Sequence, residues 1–348
     1  MTFFVMFSVV KDKKAKNNFW QGLKKPIFCL APMADVTDSA FRRIITKYGK
    51  PDITWTEFTS ADGLCDIEGR KHLKVNLDYT EAERPIVAQL FSGNPTKMKE
   101  ASKYVASLGF DGIDINMGCP DRKVEKGGAG AALIKNPKLA VEIIKATIEG
   151  GEGLPVSVKT RLGYNKDELE TWLPAILATG VSVVTIHART RKEMSDVPAH
   201  WDRVKRAVEI RNELKSQALI LGNGDALDLS DARAKIEETG ADGVMFGRAI
   251  FGNPWLFSNS EESEHRKNSE AGSVMSEEEI KTKLRVMVEH ARLFEKLFKR
   301  KKNFAIMKKH FKAYCSGFEN AKEVRIKLME TKNAREVGKI VEEYLGSL

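Results

Sequence analysis

A single cysteine, Cys119, stands where an apolar run ends in a turn within DGIDINMGCPDRKVEKGGAG, residues 111–130. Gly112 to Asn116 reads as a buried strand, Gly118 lets the chain turn sharply, and Pro120 ends the ladder. A thiol is thereby held on rigid backbone at the C-terminal end of a strand, ahead of a glycine-rich loop. Barrel enzymes present reactive groups in this way. A lone cysteine is also often a small buried hydrophobe, and the spacing alone leaves both readings open. Lys159 is a second residue of this kind. In PVSVKTR it alternates into an otherwise apolar strand, where an ammonium is expensive to bury unless an anion faces it. Two further strand ends, LGNGD (221–225) and FGR (246–248), look built for a phosphate. Their glycines let backbone N–H groups converge, and Arg248 adds a fixed charge.

Eight apolar, β-branched segments must position these groups: IFCLAP (27–32), ITWTEF (53–58), IVAQLF (86–91), GIDIN (112–116), PVSVKT (155–160), VVTIHA (183–188), ALILGN (218–223) and GVMFGR (243–248). Amphipathic helical patterns lie between them, including Pro95 to Leu108, Pro137 to Glu149 and Trp201 to Leu214. The fold class is therefore α/β, either a (β/α)8 TIM barrel or an open doubly wound sheet, since the repeat pattern is common to both. The polar strand ends favour closure. Gln89, Asn116, Lys159, His187, Asn223 and Arg248 all stand near C-terminal strand ends, and a barrel gathers them around one mouth.

The 348 residues and 42% hydrophobic content suffice for one large barrel and a smaller domain. The four cysteines (Cys29, Cys65, Cys119, Cys315) are widely spaced with no CxxC pair. That argues against a zinc site or a disulfide framework and for a reducing, cytoplasmic setting. No metal is expected. The apolar start, MTFFVMFSVV, is too short to span a bilayer and lacks the flanks of a signal peptide. It reads as a frayed or locally packed tail, and no other run suggests a membrane helix. The expected organisation is a tail at 1–25, a barrel at 26–257, a polar linker at 258–275 and an all-α C-terminal domain at 276–348.

The segment NMGCP (116–120) with GGAGAAL behind it resembles the catalytic loop of the tRNA-dihydrouridine synthases. The resemblance continues through APMADVTDSAFR (31–42), TEF (56–58), QLFSGNP (89–95), VKTRLG (158–163), HARTR (187–191), LGNGD (221–225) and GRAIFGNPW (247–255). The bacterial B-type subgroup is the nearest likeness. One departure is Ala188, where the family often has glycine.

The resemblance implies an FMN-dependent, NADPH-driven reduction of a tRNA D-loop uridine, with NADH as a possible substitute for NADPH. It places Pro32 and Met33 against the flavin ring and Gln89, Lys159 and His187 on the ring or ribityl chain. Asn223, Gly224, Asp225, Gly247 and Arg248 would hold the phosphate. Reducing the uracil C5–C6 bond needs a proton as well as a hydride, and the family assigns the proton to the loop cysteine, here Cys119 as general acid. Asn116, Arg161 and Arg189 are then candidates to orient the base, whereas Arg191 reads as a more doubtful, solvated residue. Two other functions are compatible with parts of the pattern: an FMN barrel acting on a free pyrimidine, like dihydroorotate dehydrogenase, and a non-catalytic RNA-binding barrel.

The net charge of +9 points to an acidic partner. Residues 276–348 carry 18 Lys and Arg against 11 Asp and Glu, so most of the surplus is C-terminal. Lys296 to Lys312 holds eight basic residues and no acid. Such a cluster repels itself unless an anion compensates it. Lys299, Arg300, Lys301, Lys302, Lys308 and Lys309 are accordingly expected on the tRNA backbone, in a protein acting as a monomer.

Overall fold

A computed structural model describes residues 18–258, 275–299 and 301–348. The apolar segments form parallel strands: β1 (Ile27–Leu30), β2 (Thr54–Trp55), β3 (Thr59–Ser60), β4 (Ile86–Phe91), β5 (Gly112–Met117), β6 (Val156–Arg161), β7 (Val183–His187), β8 (Leu219–Asn223) and β9 (Gly243–Phe246). Their order is β1-β9-β8-β7-β6-β5-β4-β2, with β3 attached to β4. The circle closes where Cys29 bridges Ile53 and the Leu30 N–H donates to the Ile53 carbonyl at 3.3 Å. The barrel, rather than the open sheet, is the fold.

Local chemistry sets the outer helices. Asn94 and Asn136 each precede a proline, and their side chains accept the N–H groups of Lys97 and Leu139, starting the helices Pro95–Ser107 and Pro137–Gly150. Asp38 likewise caps Ser39–Tyr48 through the N–H groups of Ala40 and Phe41. Inside the barrel, Ile27, Cys29, Trp55, Val87, Val183, Leu221 and Met245 fill the interior. Trp20 packs beneath them, its ring 5.9 Å from that of Trp55. Residues 18–25, assigned by sequence to a tail, therefore belong to the barrel. The first 17 residues lie outside the described part, as do residues 259–274 of the expected linker.

The expected second strand, 53–58, is broken. Thr56 donates its hydroxyl to the Glu57 carbonyl at 3.0 Å, and the pairing with β4 resumes only at Thr59. Ala188 has no left-handed backbone and takes part in two main-chain hydrogen bonds, to Asn223 and from His200, so its extra methyl is accommodated.

Ser276 and Glu279 form a capping box that opens the helix Glu277–Phe298. Three more helices follow, Met307–Tyr314, Ala321–Met329 and Ala334–Leu345. Their core of Leu284, Met287, Phe294, Phe298, Phe311 and Val337 also includes Ala40, Ile44 and Trp255 from the barrel side. The two regions thus share a buried seam. Among the described residues no helix is long and apolar enough to cross a membrane.

Candidate active site

Cys119 is positioned by the end of β5. Asn116 accepts the N–H groups of Gly118 at 3.1 Å and Cys119 at 2.9 Å through its Oδ1, folding the chain back at the strand end. Its Nδ2 donates to Gln89 Oε1 at 3.2 Å, and Gln89 Nε2 donates to Asp114 Oδ2 at 2.6 Å. The Ser157 hydroxyl completes this network by donating to Asp114 Oδ1 at 2.5 Å. Gly130 has φ 61°, and a Cβ there would stand 2.7 Å from the Cys119 carbonyl oxygen. Only glycine lets the following loop close on the thiol's backbone.

The same turn is tied to β6 and to the loop after β7. Arg161 donates through Nε to the Gly118 carbonyl at 2.8 Å and through one terminal nitrogen to the carbonyls of Thr190 and Met194, both at 3.0 Å. Arg191 remains 25% exposed and grips Glu125 bidentately at 2.8 and 2.6 Å. Burial pushes the partly buried Cys119 thiol above its ordinary range, so it carries its proton at neutral pH.

Beside this turn, the ends of β1 and β6 to β9 enclose a cavity of about 620 Å³. Lys159 Nζ donates to Asn223 Oδ1 at 3.0 Å, and Asn223 Nδ2 donates to the Met245 carbonyl at 2.8 Å. Burial, helped by the neighbouring Arg161 charge, lowers Lys159 to about 8. His187 lies well below its ordinary value because it is buried and because Lys159, Arg161, Arg189 and Arg248 surround it. Gly224 at φ 126° and Asp225 at φ 51° turn the chain so that the Asp225 carboxylate meets Arg189 and, at 2.5 Å, Arg248. Three cations, Lys159, Arg189 and Arg248, therefore face the cavity with Asp225 as the carboxylate among its lining residues. That imbalance suits an anionic occupant. Gly247 borders open space, since a Cβ there would meet nothing within 4 Å.

Of the ten residues read from sequence as cofactor contacts, Pro32, Met33, Lys159, His187, Asn223, Gly224, Asp225, Gly247 and Arg248 line this cavity. Gln89 does not; it is buried a layer lower in the Asp114 network. Asn116 and Arg161 stand with Cys119, whereas Arg189 belongs to the cavity wall. There its Nε donates to the Val197 carbonyl at 2.6 Å and its other nitrogens meet His187 and Asp225. Sequence reasoning missed Asp114, although the signal that singled out Lys159, a charge alternating into an apolar strand, applies equally to it. It also missed the role of Glu57.

The basic run divides. Lys299, Lys301 and Lys309 are exposed, Lys308 is half-buried, and Arg300 lies outside the described residues. Lys302 corrects the expectation: its side chain is 9% exposed and its ammonium is bound to Glu57 at 2.5 Å. A buried, neutralised lysine is not a phosphate contact.

The dihydrouridine synthase (Dus) family matches residues 29–347, spanning the barrel and the C-terminal helices alike. The chain belongs to the dihydrouridine synthase family. A probable tRNA-dihydrouridine synthase of Staphylococcus aureus (strain COL) is 40% identical over 331 residues, covering 94% of this chain and 96% of that protein. Probable tRNA-dihydrouridine synthase 2 of Bacillus subtilis (strain 168) is 40% identical over 329 residues, with 94% and 96% covered. Among solved structures, histamine dehydrogenase from Rhizobium sp. 4-9 superposes with a TM-score of 0.50 at 13% identity, covering 74% of this chain and 48% of that one, a likeness of fold alone. Family membership makes this dihydrouridine synthase a flavin-dependent oxidoreductase reduced by NAD(P)H. It sets aside the free-pyrimidine enzyme and the non-catalytic barrel. The cavity fits a flavin in size, in its glycine-bordered opening and in its cationic lining.

Proposed function

We propose that the protein reduces a D-loop uridine of tRNA to 5,6-dihydrouridine, using FMN in the 620 Å³ cavity and NADPH, or alternatively NADH, as the reductant. The observation that carries this reading is the adjacency of a proton-bearing thiol, Cys119, to an anion-accepting cavity at one barrel mouth. When bound, the flavin supplies hydride.

The chain's own residues do the rest. Arg248 and the Gly224 and Gly247 turns hold the phosphate end. Lys159, still a cation at neutral pH although burial lowers it to about 8, would face the ring together with neutral His187, and Pro32 and Met33 would pack against it. The hydride adds at C6 of the uracil and the Cys119 thiol gives its proton to C5, so the double bond gains two hydrogens and the thiolate regains a proton from solvent. Arg161 steadies the turn bearing the thiol while its remaining donor capacity is directed at the base. Asn116 holds the same turn through its Oδ1 and offers its remaining Nδ2 hydrogen to the uracil. Exposed Lys299, Lys301 and Lys309 with half-buried Lys308, and with Arg300, take the tRNA backbone. The protein works as a monomer in the cytoplasm, on a uridine flipped out of its stack.

The test is reconstitution. Purified protein should be yellow, release the mononucleotide rather than FAD, and convert unmodified tRNA to a product heavier by two hydrogens when NADPH is supplied. Release of FAD, or no dihydrouridine from any tRNA in a total unmodified pool, overturns the reading.

A further inference from the structure

The loop after β1 forms the Pro32–Met33 wall of the cavity, and the contacts that fix that loop reach beyond the barrel. Glu57, at the break in the second strand, accepts the Asp35 N–H through Oε1 at 2.7 Å. Asp35 has φ 53°, a backbone setting that a side chain other than glycine takes only when its surroundings hold it there. The second Glu57 oxygen accepts the Lys302 ammonium at 2.5 Å, and the two side chains are only 5% and 9% exposed. Lys309 approaches the Asp35 carboxylate at 3.6 Å from the same C-terminal region. Within the loop, Met33 is clasped by Thr37, whose hydroxyl accepts the Met33 N–H at 2.9 Å.

We propose that Lys302 is a positioning residue: by clamping Glu57 it holds the Asp35 turn and so sets Met33 and Pro32 against the cofactor. A buried carboxylate deprived of its cation is driven to find another partner or to take up a proton, and either change loosens its hold on the Asp35 N–H. Exposed Lys299 and Lys301 both precede Lys302, just after the helix Glu277–Phe298. RNA gripped there pulls directly on the residue that locks the cavity wall. The C-terminal helices are then part of the flavin site as well as a handle for RNA. This rests on the flavin reading above.

Lys302→Met, Glu57→Gln and the double variant provide the test, each in the full-length chain. Hydrogen–deuterium exchange of the cofactor-free protein should show faster exchange over residues 33–38 in Lys302→Met. The double variant, which removes both charges, should recover protection. With FMN bound, Lys302→Met should shift the flavin absorption bands and lower kcat by up to about 100-fold with little change in KM for tRNA. Exchange at 33–38 and a flavin spectrum identical to the parent's would overturn the proposal, as would a loss confined to thermal stability. If Lys302→Met does not fold, Lys302→Arg and the double variant decide it: the proposal fails unless both keep the parent's exchange at 33–38. A parent protein that retains no flavin defeats the reading of the cavity, while the cofactor-free exchange still decides the Lys302 link.

Discussion

The barrel mouth and the seam beneath the C-terminal helices bury polar groups in opposite ways. At the mouth, Ser157, Asp114, Gln89 and Asn116 form one hydrogen-bonded chain that ends at the Cys119 turn, and Lys159 and Asn223 form a second at the cavity. In the seam, the His290 and His310 rings meet edge to face with centroids 4.6 Å apart, and both lie tilted against Phe41 at 5.6 and 5.0 Å. Both ring nitrogens of each, and the Tyr314 hydroxyl, lack a partner among the described residues. A buried unpaired polar group costs about 1–3 kcal/mol. The mouth is therefore built to hold a geometry, whereas the seam is held by packing and tolerates unmet polarity. The contrast predicts that mutations at the mouth change chemistry, and mutations among the seam's unpartnered histidines change stability.

The largest effect should follow loss of the thiol. Cys119→Ala should retain flavin and its reduction by NADPH, yet reduce tRNA uridine about 100- to 10,000-fold more slowly. Stopped-flow measurement of the two half-reactions separates these steps. An unchanged rate of flavin reoxidation by tRNA would remove Cys119 from the chemistry and with it the purpose ascribed to the mouth network.

Next in size is Lys159→Met, which deletes the buried cation facing the cavity. A charge-assisted hydrogen bond contributes about 1.5–3 kcal/mol, or roughly 10- to 100-fold in flavin affinity. Fluorescence titration of the stripped protein with FMN measures it. Equal affinity in parent and variant would mean that the cationic lining is structural, as the seam's polar groups are.

How legible these two regions were follows from their construction. Strand alternation puts every second residue of a barrel strand inside, so Lys159, His187 and Asn223 could be read as facing one mouth before any coordinates. Asp114 obeys the same rule. The helices Pro95–Ser107 and Pro137–Gly150 were marked by their Asn-Pro starts. The seam offered no such rule. Within KRKK nothing distinguishes Lys302, which turns inward to Glu57, from Lys299 and Lys301, which do not, because the choice is made by a partner 245 residues away. His290 and His310 sit on amphipathic helices where a histidine fits either face. Glu57 looked like one more residue of an extended strand, and only the break there reveals its use. Trp20 was hidden by an apolar N-terminus that reads as a tail.

A pH experiment sharpens the comparison from the seam side. Burial, with the Lys309 charge nearby, lowers His310 to about 3, whereas an unfolded histidine titrates near 6.5. Between those values the unfolded chain binds the extra proton, so this histidine's share of stability is complete above 6.5 and is lost as pH falls toward 3. Asp38 and Asp114, raised to about 6 chiefly by burial, act oppositely because the folded protein retains their protons longer. His310→Phe isolates the histidine. Relative to the parent, the variant should gain about 1.4 kcal/mol between pH 7.5 and 5.5, read from urea unfolding. A parallel pH dependence in the two proteins would mean that His310 takes a proton in the folded seam, contrary to its unpartnered burial.

The smallest effect is expected where the two regions meet RNA. Lys299 and Lys301 are exposed and neighbour the inward-turned Lys302, so their replacement by alanine removes charge without opening the Glu57 pair. Each true phosphate contact contributes a slope of roughly 0.7 to 0.9 in log affinity against log salt. Lys299→Ala with Lys301→Ala should therefore lower the slope of tRNA binding by about 1.4 to 1.8, while NADPH oxidation with a small electron acceptor in place of tRNA keeps its parental rate. Filter binding across a salt series measures the first, and the acceptor assay the second. An unaltered slope would make these lysines a solvated helix end, leaving RNA capture to another face. A slope that falls together with slower flavin turnover would instead show that the exposed lysines and Lys302 act as one unit.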